Sequence, residues 1–187
     1  METLGMRPLT EAELAQRGPG ALRASAHHVA DVLRWMARVS PATSFLLPIS
    51  VRRSLLRLAG VRIGAQVTGL KQCGFETKQV SIGDGSFVNA GCWFEGAGRT
   101  DIGRNAFLGP QVMILTSVHE IEEDGQVTRV PTPGQVRIGD RCWLGARALI
   151  MPGVTIGEGT IIGAAAVVTK DCEPGAVYVG VPARRVR

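Results

Sequence analysis

The 187 residues suffice for one domain with a buried core, and 45% hydrophobic but only 5% aromatic content excludes a disordered chain and points to packing by small and aliphatic side chains. A net charge of +5 suits an anionic ligand, a nucleic acid or an anionic surface and does not choose among them. The four cysteines, Cys73, Cys92, Cys142 and Cys172, form no Cys-x-x-Cys pair, which excludes a zinc ribbon or thioredoxin motif and leaves free thiols of a cytoplasmic protein as the expectation; no signal peptide and no membrane-length apolar run is visible.

In chain order, residues 1–60 read as a helical leader or cap and residues 61–187 as the main domain. Met1–Gly20 is polar and interrupted by Pro8 and Pro19. Ala21–Val39 has the spacing of an amphipathic helix, with Leu22, Val29, Val32, Leu33, Met36 and Val39 largely three and four apart, ended by Ser40-Pro41. Ser50 is the expected cap of a second helix, Val51–Ala59, stopped by Gly60. Arg23, Arg34, Arg38, Arg52, Arg53 and Arg57 lie beside these apolar faces. Two readings follow: weak contact of residues 21–60 with an anionic membrane surface, or a cap packed on the main domain or a neighbouring subunit.

From Ile63 the period changes to six. Ile82, Val88 and Phe94 recur at that spacing, two extra residues follow, and then come Ile102, Leu108 and Ile114. After an interruption the run Ile138, Leu144, Ile150, Ile156, Ile162 and Val168 is unbroken. Glycine often follows the aliphatic residue, as at a tight corner, and a small or β-branched residue sits four positions on, including Cys92, Cys142 and Cys172. Stacked similar units, each burying its face on the next, are the expected architecture, and these cysteines are then small buried residues without chemistry.

The motif [Ile/Leu/Val]-Gly-x-x-[small]-x in IGDRCWLGARALIMPGVTIGEGTIIGAAAVVTKD resembles that of the hexapeptide acyltransferases, most nearly the galactoside, maltose, nodulation-type and polysaccharide O-acetyltransferases. The resemblance implies a mainly β fold, a left-handed parallel β-helix of eighteen-residue coils. It further implies a homotrimer with active sites between subunits, acetyl-CoA as co-substrate, a sugar or other hydroxyl-bearing acceptor, no nucleic acid, and a place in the cytoplasm or at the inner membrane surface.

The interruption between Ile114 and Ile138 spans a multiple of six, so residues 120–137 are expected to leave one corner as a polar loop and return in phase. His119 stands at its root, in the stretch LTSVH that resembles the family's catalytic segment. An imidazole takes a proton near neutral pH, as transfer of acetyl from a thioester to a hydroxyl requires. By the same resemblance Ala146, after Trp143-Leu144-Gly145, offers a backbone N–H to the oxyanion, and Asn89 in FVNAGC binds at the reacting centre. The resemblance also implies that Trp143, Gly145, Ala146, Ala164, Thr169 and Lys170 line the coenzyme A groove, with Arg184 and Arg187 of the tail on its phosphates. The sugar-holding aspartate of galactoside-type relatives has no counterpart in Glu95-Gly96-Ala97-Gly98, and Glu95 is expected to face another way.

The implied function is an acetyl-CoA-dependent O-acetyltransferase working through a ternary complex on a sugar, glycan or glycosylated small molecule. The alternatives are an antibiotic or xenobiotic acetyltransferase of the same fold and a non-catalytic β-helix scaffold. A γ-type carbonic anhydrase needs three histidines on zinc; His27 and His28 lie in the leader, so no metal is expected.

Overall fold

The computed structural model describes residues 42–187 apart from 122, 124 and 129. The helix expected over 21–39 and its arginines lie outside the described residues. The remainder is a parallel β-solenoid with three faces. The first face stacks Arg62–Ile63, Val80–Ile82, Thr100–Ile102, Val136–Ile138 and Thr155–Ile156. The second stacks Thr68–Gly69, Phe87–Val88, Phe107–Leu108, Trp143–Leu144, Ile161–Ile162 and Val177–Val179, with Arg184–Arg185 returning antiparallel at its end. The third stacks Gly74–Phe75, Trp93–Phe94, Met113–Ile114, Leu149–Ile150 and Val167–Val168.

Every aliphatic residue of the six-residue period from Ile82 to Val168 points inward and is buried, and so are the small or β-branched residues four positions later from Ser86 to Cys172, except Val118 in the excursion. The solenoid core is therefore one continuous apolar column, and a Leu→Ala or Ile→Ala change within it costs ~2–5 kcal/mol. The sequence left the first coil unread. There Gly69 takes the aliphatic position, and a Cβ on it would meet the Val88 carbonyl oxygen at 1.9 Å. Val67, Cys73 and Phe75 fill that coil instead.

The glycine after each aliphatic residue does not form the corner. Left-handed φ falls two positions later, at Gly85, Gly91, Asn105, Gln111, Arg141, Arg147, Gly153, Gly159 and Ala165. The following glycine is needed for close stacking: a Cβ on Gly145 would lie 2.5 Å from Ala164 N, and one on Gly109 2.7 Å from Ala146 N.

The edges between faces are not alike. From first to second face, and from second to third, the step is six residues in every coil, as in Ile82 to Val88 to Phe94. All length variation lies on the third-to-first edge: seven residues from Phe75 to Ile82, eight from Phe94 to Ile102, twenty-four from Ile114 to Ile138. The long excursion returns in register, with Ile138 beside Ile102 and Ile156. It ends sooner than expected, because Val136–Ile138 is a first-face strand and Val136 is buried; first-face strands carry a second inward residue, as in Val80 and Thr100.

Helix α1 (Ile49–Leu58) closes the N-terminal end of the solenoid. It starts ahead of expectation, with Pro48 rather than Ser50 as its cap, since proline's fixed φ suits a helix entry. Leu56 is fully buried. Its three arginines turn onto carbonyls of the first coil, Arg52 bonding Gly69 O, Arg53 bonding Ala65 O and Val67 O (3.3 Å), and Arg57 bonding Ile63 O (2.9 Å) and Gly64 O (2.8 Å), while Arg52 Nε also bonds Leu47 O ahead of the helix (3.0 Å). These guanidiniums satisfy coil oxygens that have no preceding coil to bond. Among the described residues no helix is long and apolar enough to cross a membrane.

Candidate active site on the solenoid edges

The irregular edge is built on a carboxylate ladder. Glu76 Oε2 accepts from Gly96 N (3.1 Å), and one coil on Glu95 Oε2 accepts from Thr116 N (2.6 Å). Thr116 donates Oγ1–H to Glu95 O (3.2 Å) and accepts from Gly98 N (3.0 Å). Glu95 thus faces the root of the excursion, as Glu76 one coil earlier faces Gly96. The excursion itself is an antiparallel ribbon, Ser117–Val118 against Thr132–Pro133, extended by an Ile121–Val127 bridge.

His119 projects from this ribbon and is exposed. Its Nδ1 lies 2.7 Å from the Thr128 carbonyl oxygen. A carbonyl only accepts, so Nδ1 carries the hydrogen and Nε2 keeps its lone pair for a proton. The ribbon holds this arrangement through Thr128 N–H to Glu120 O (2.8 Å), Glu120 N–H to Thr128 Oγ1 (2.9 Å) and Thr132 Oγ1–H to Glu120 Oε1 (2.8 Å). No motif marks Thr128; only the fold brings its carbonyl to His119.

Asn89, Gly145, Ala146 and Ala164 stand on the second-to-third edge, each one or two residues past an inward second-face residue. Asn89 Oδ1 accepts from Ala90 N (2.8 Å), which leaves its amide hydrogens without a partner among the described residues. The N–H groups of Ala146 and Ala164 likewise have no acceptor among the described residues, and they sit on adjacent coils. Trp143 lies on the outer second face, 52% exposed. Thr169 and Lys170 follow the last third-face strand and share the edge of His119. In the tail, Arg184 and Arg187 are exposed, whereas Arg185 pairs with Glu173. The predicted residues therefore fall into two groups on different edges, Asn89 with Gly145, Ala146 and Ala164, and His119 with Thr169 and Lys170. Among the described residues no cluster of His, Cys, Asp or Glu is arranged to hold a metal.

The family described as bacterial transferase hexapeptide (six repeats) matches residues 135–170. A putative acetyltransferase of Schizosaccharomyces pombe is 39% identical over 108 residues, 58% of this chain and 52% of that protein. The galactoside O-acetyltransferase of Escherichia coli is 30% identical over 131 residues, 57% of this chain and 63% of its own. The chain spans about half the length of the first curated relatives it matches. A hexapeptide-repeat acetyltransferase of Vibrio cholerae, solved with acetyl coenzyme A, superposes with a TM-score of 0.77 at 25% identity, covering 88% of this chain and 90% of that one. The chain is a hexapeptide-repeat β-solenoid protein, similar in sequence and fold to the hexapeptide acetyltransferases.

Proposed function

We propose that the protein is an acetyl-CoA-dependent O-acetyltransferase that acylates a hydroxyl of a sugar, glycan or glycosylated small molecule, with His119 as general base in a ternary complex. The observation that carries this reading is the 2.7 Å contact of His119 Nδ1 with the Thr128 carbonyl, which fixes the ring with Nε2 as its proton acceptor. Nε2 takes the hydroxyl proton as the oxygen bonds to the thioester carbonyl carbon. The carbon–sulfur bond then breaks, and the proton is returned to the departing thiolate. The unpaired N–H of Ala146 suits the oxyanion, and Asn89 keeps amide hydrogens for the acceptor.

The donor fits the second-to-third edge. An extended amide-bearing arm needs hydrogen-bond donors in line, and Ala146 and Ala164 supply them one coil apart. Trp143 and Gly145 complete the groove on this edge, Thr169 and Lys170 reach the donor from the edge that carries His119, and Arg184 and Arg187 suit phosphates at the C-terminal end. Because Gly145, Ala146 and Ala164 occupy one edge and His119, Thr169 and Lys170 another, a complete site is assembled from two copies, which supports a homotrimer with a site at each junction.

The test is an acceptor screen with acetyl-CoA, following release of free thiol. His119→Ala is expected to lower turnover ~10²–10⁴-fold while coenzyme A still binds in calorimetry. Near-full turnover by that variant excludes His119 as base, and failure of the native protein to bind coenzyme A excludes the reading as a whole.

A further inference from the structure

The second-to-third edge differs in charge from the other two. On the first-to-second edge acids answer the bases: Asp84 caps Gln66 N (2.8 Å), Asp140 caps Arg104 N (2.8 Å) and Arg141 pairs with Glu158. The third-to-first edge carries Glu76, Glu95 and Asp171. On the second-to-third edge the corner positions run Lys71-Gln72, Ala90-Gly91, Pro110-Gln111, Ala146-Arg147 and Ala164-Ala165, with no acid among them. The outward residues of the flanking faces, Phe87, Phe107 and Trp143 on one side and Trp93 and Met113 on the other, include none either.

Arg147 is the side chain this edge presents beside Ala146. Its φ is +59°, the left-handed conformation that the corners of this solenoid share. One coil below, Gln111 has the same φ of +59°, and its Oε1 accepts from Arg147 Nε at 2.8 Å. The tether draws the guanidinium towards the coil of Asn89 and away from the C-terminal arginines. Nη1 and Nη2 have no partner among the described residues, and the neighbouring corners, Gly91 and Ala165, add no side chain that reaches them.

We propose that Arg147 is a specificity-determining residue that binds an anionic group on the acceptor, so that the substrate is a sugar bearing a carboxylate or a phosphate. This deepens the acetyltransferase reading and rests on it. A fixed, acid-free guanidinium fork beside the oxyanion donor is a bidentate anion site. The donor's phosphates are not its partner in this arrangement. Arg184 and Arg187 lie two or more coils further along the solenoid, about 10 Å or more at one strand spacing per coil.

The experiment compares glucose, glucuronate, galacturonate, glucose 1-phosphate and glucose 6-phosphate, by acetyl transfer and by calorimetric binding to the protein loaded with coenzyme A. At least one anion is expected to bind and to have a kcat/KM about tenfold or more above glucose. The uronates and the phosphates tell which anion the fork prefers. Arg147→Gln keeps a residue type that Gln111 shows to tolerate this backbone. In that variant the preference for the anion over glucose is expected to fall about tenfold, through KM more than kcat, with partial recovery in Arg147→Lys. The proposal is overturned if no anion binds, if glucose is preferred, or if Arg147→Gln lowers kcat/KM equally for all acceptors. Transfer to glucose that depends on His119 but ignores charge sinks this proposal and leaves the acetyltransferase intact; loss of coenzyme A binding by the native protein sinks both.

Discussion

Cys172 packs into the core on the third-to-first side of the last full coil, and its thiol is pushed up to about 11 by burial first and by the nearby Asp171 and Cys142 second. Burial also raises Cys142, and the hydrogen bond with Cys92, followed by burial, raises Cys73. In the unfolded chain each thiol ionises near its ordinary value of 9.0. Folded Cys172 keeps its proton longer, so its contribution to stability is complete below pH 9 and is lost as pH rises from there to about 11. We expect the urea midpoint to fall between pH 8.5 and 10.5 (assay values, about 0.5 and 1.5 either side of pH 9) and to fall less in Cys172→Ala, a residue the same position carries in Ala148 and Ala166. An equal fall in both proteins would remove the thiol as the cause.

Among the elements, the ribbon that carries His119 depends on a residue outside it. Thr116 bonds both the Glu95 main chain and the buried Gly98 N–H, and so ties the slip after Phe94 to the excursion after Ile114. Thr116→Val keeps the shape and strands that N–H, at a cost of ~1–3 kcal/mol. Denaturation should show the loss, and amide exchange should quicken in residues 117–135 more than in the coils. Unchanged exchange there would mean that the ribbon holds itself. This linkage marks where sequence reasoning stopped. The register of the aliphatic and small residues from Ile82 to Cys172 was legible, because each repeats one environment. The first coil was not, since Gly69 has no side chain to count. Neither was the bond of Glu95 to Thr116 N, which joins neighbouring coils, nor the Thr128 carbonyl, which has no side-chain signature at all. His119 was found by its motif and its place before an in-phase gap, yet its tautomer needed the fold. Arg147 was passed over because an arginine in a repeat corner looks like ordinary surface charge until its tether to Gln111 is seen.

Over the whole molecule, the three outer faces divide into one polar and two apolar. The first face presents Arg62, Ser81, Asp101, Arg137 and Thr155, cross-bonded through Arg99 Nε to Asp101 (2.8 Å) and Gln135 Nε2 to Asp101 (2.7 Å). The third presents Trp93 and Met113, 41% and 42% exposed, and the second Phe107 and Trp143. The two apolar faces meet at the edge of Asn89, Ala146 and Arg147, so association through them would enclose that edge and leave the polar face in water. Light scattering on the native protein should give a trimer's mass. Met113→Glu should shift the population to smaller species and lower turnover with it; a trimer of full activity in that variant would move the contact elsewhere.

The edge that absorbs every change in coil length has a consequence for how such proteins diversify. Steps of seven, eight and twenty-four residues all return to the same register there, while the two other edges accept only six. Segments can be exchanged at that corner without renumbering the core, as a tool head is changed on a fixed handle. The edge with the free N–H groups of Ala146 and Ala164 stays invariant while the ribbon opposite is rewritten. A ribbon grafted between Ile114 and Val136 from another chain should therefore alter which acceptor is chosen and leave the frame that receives the donor as it is.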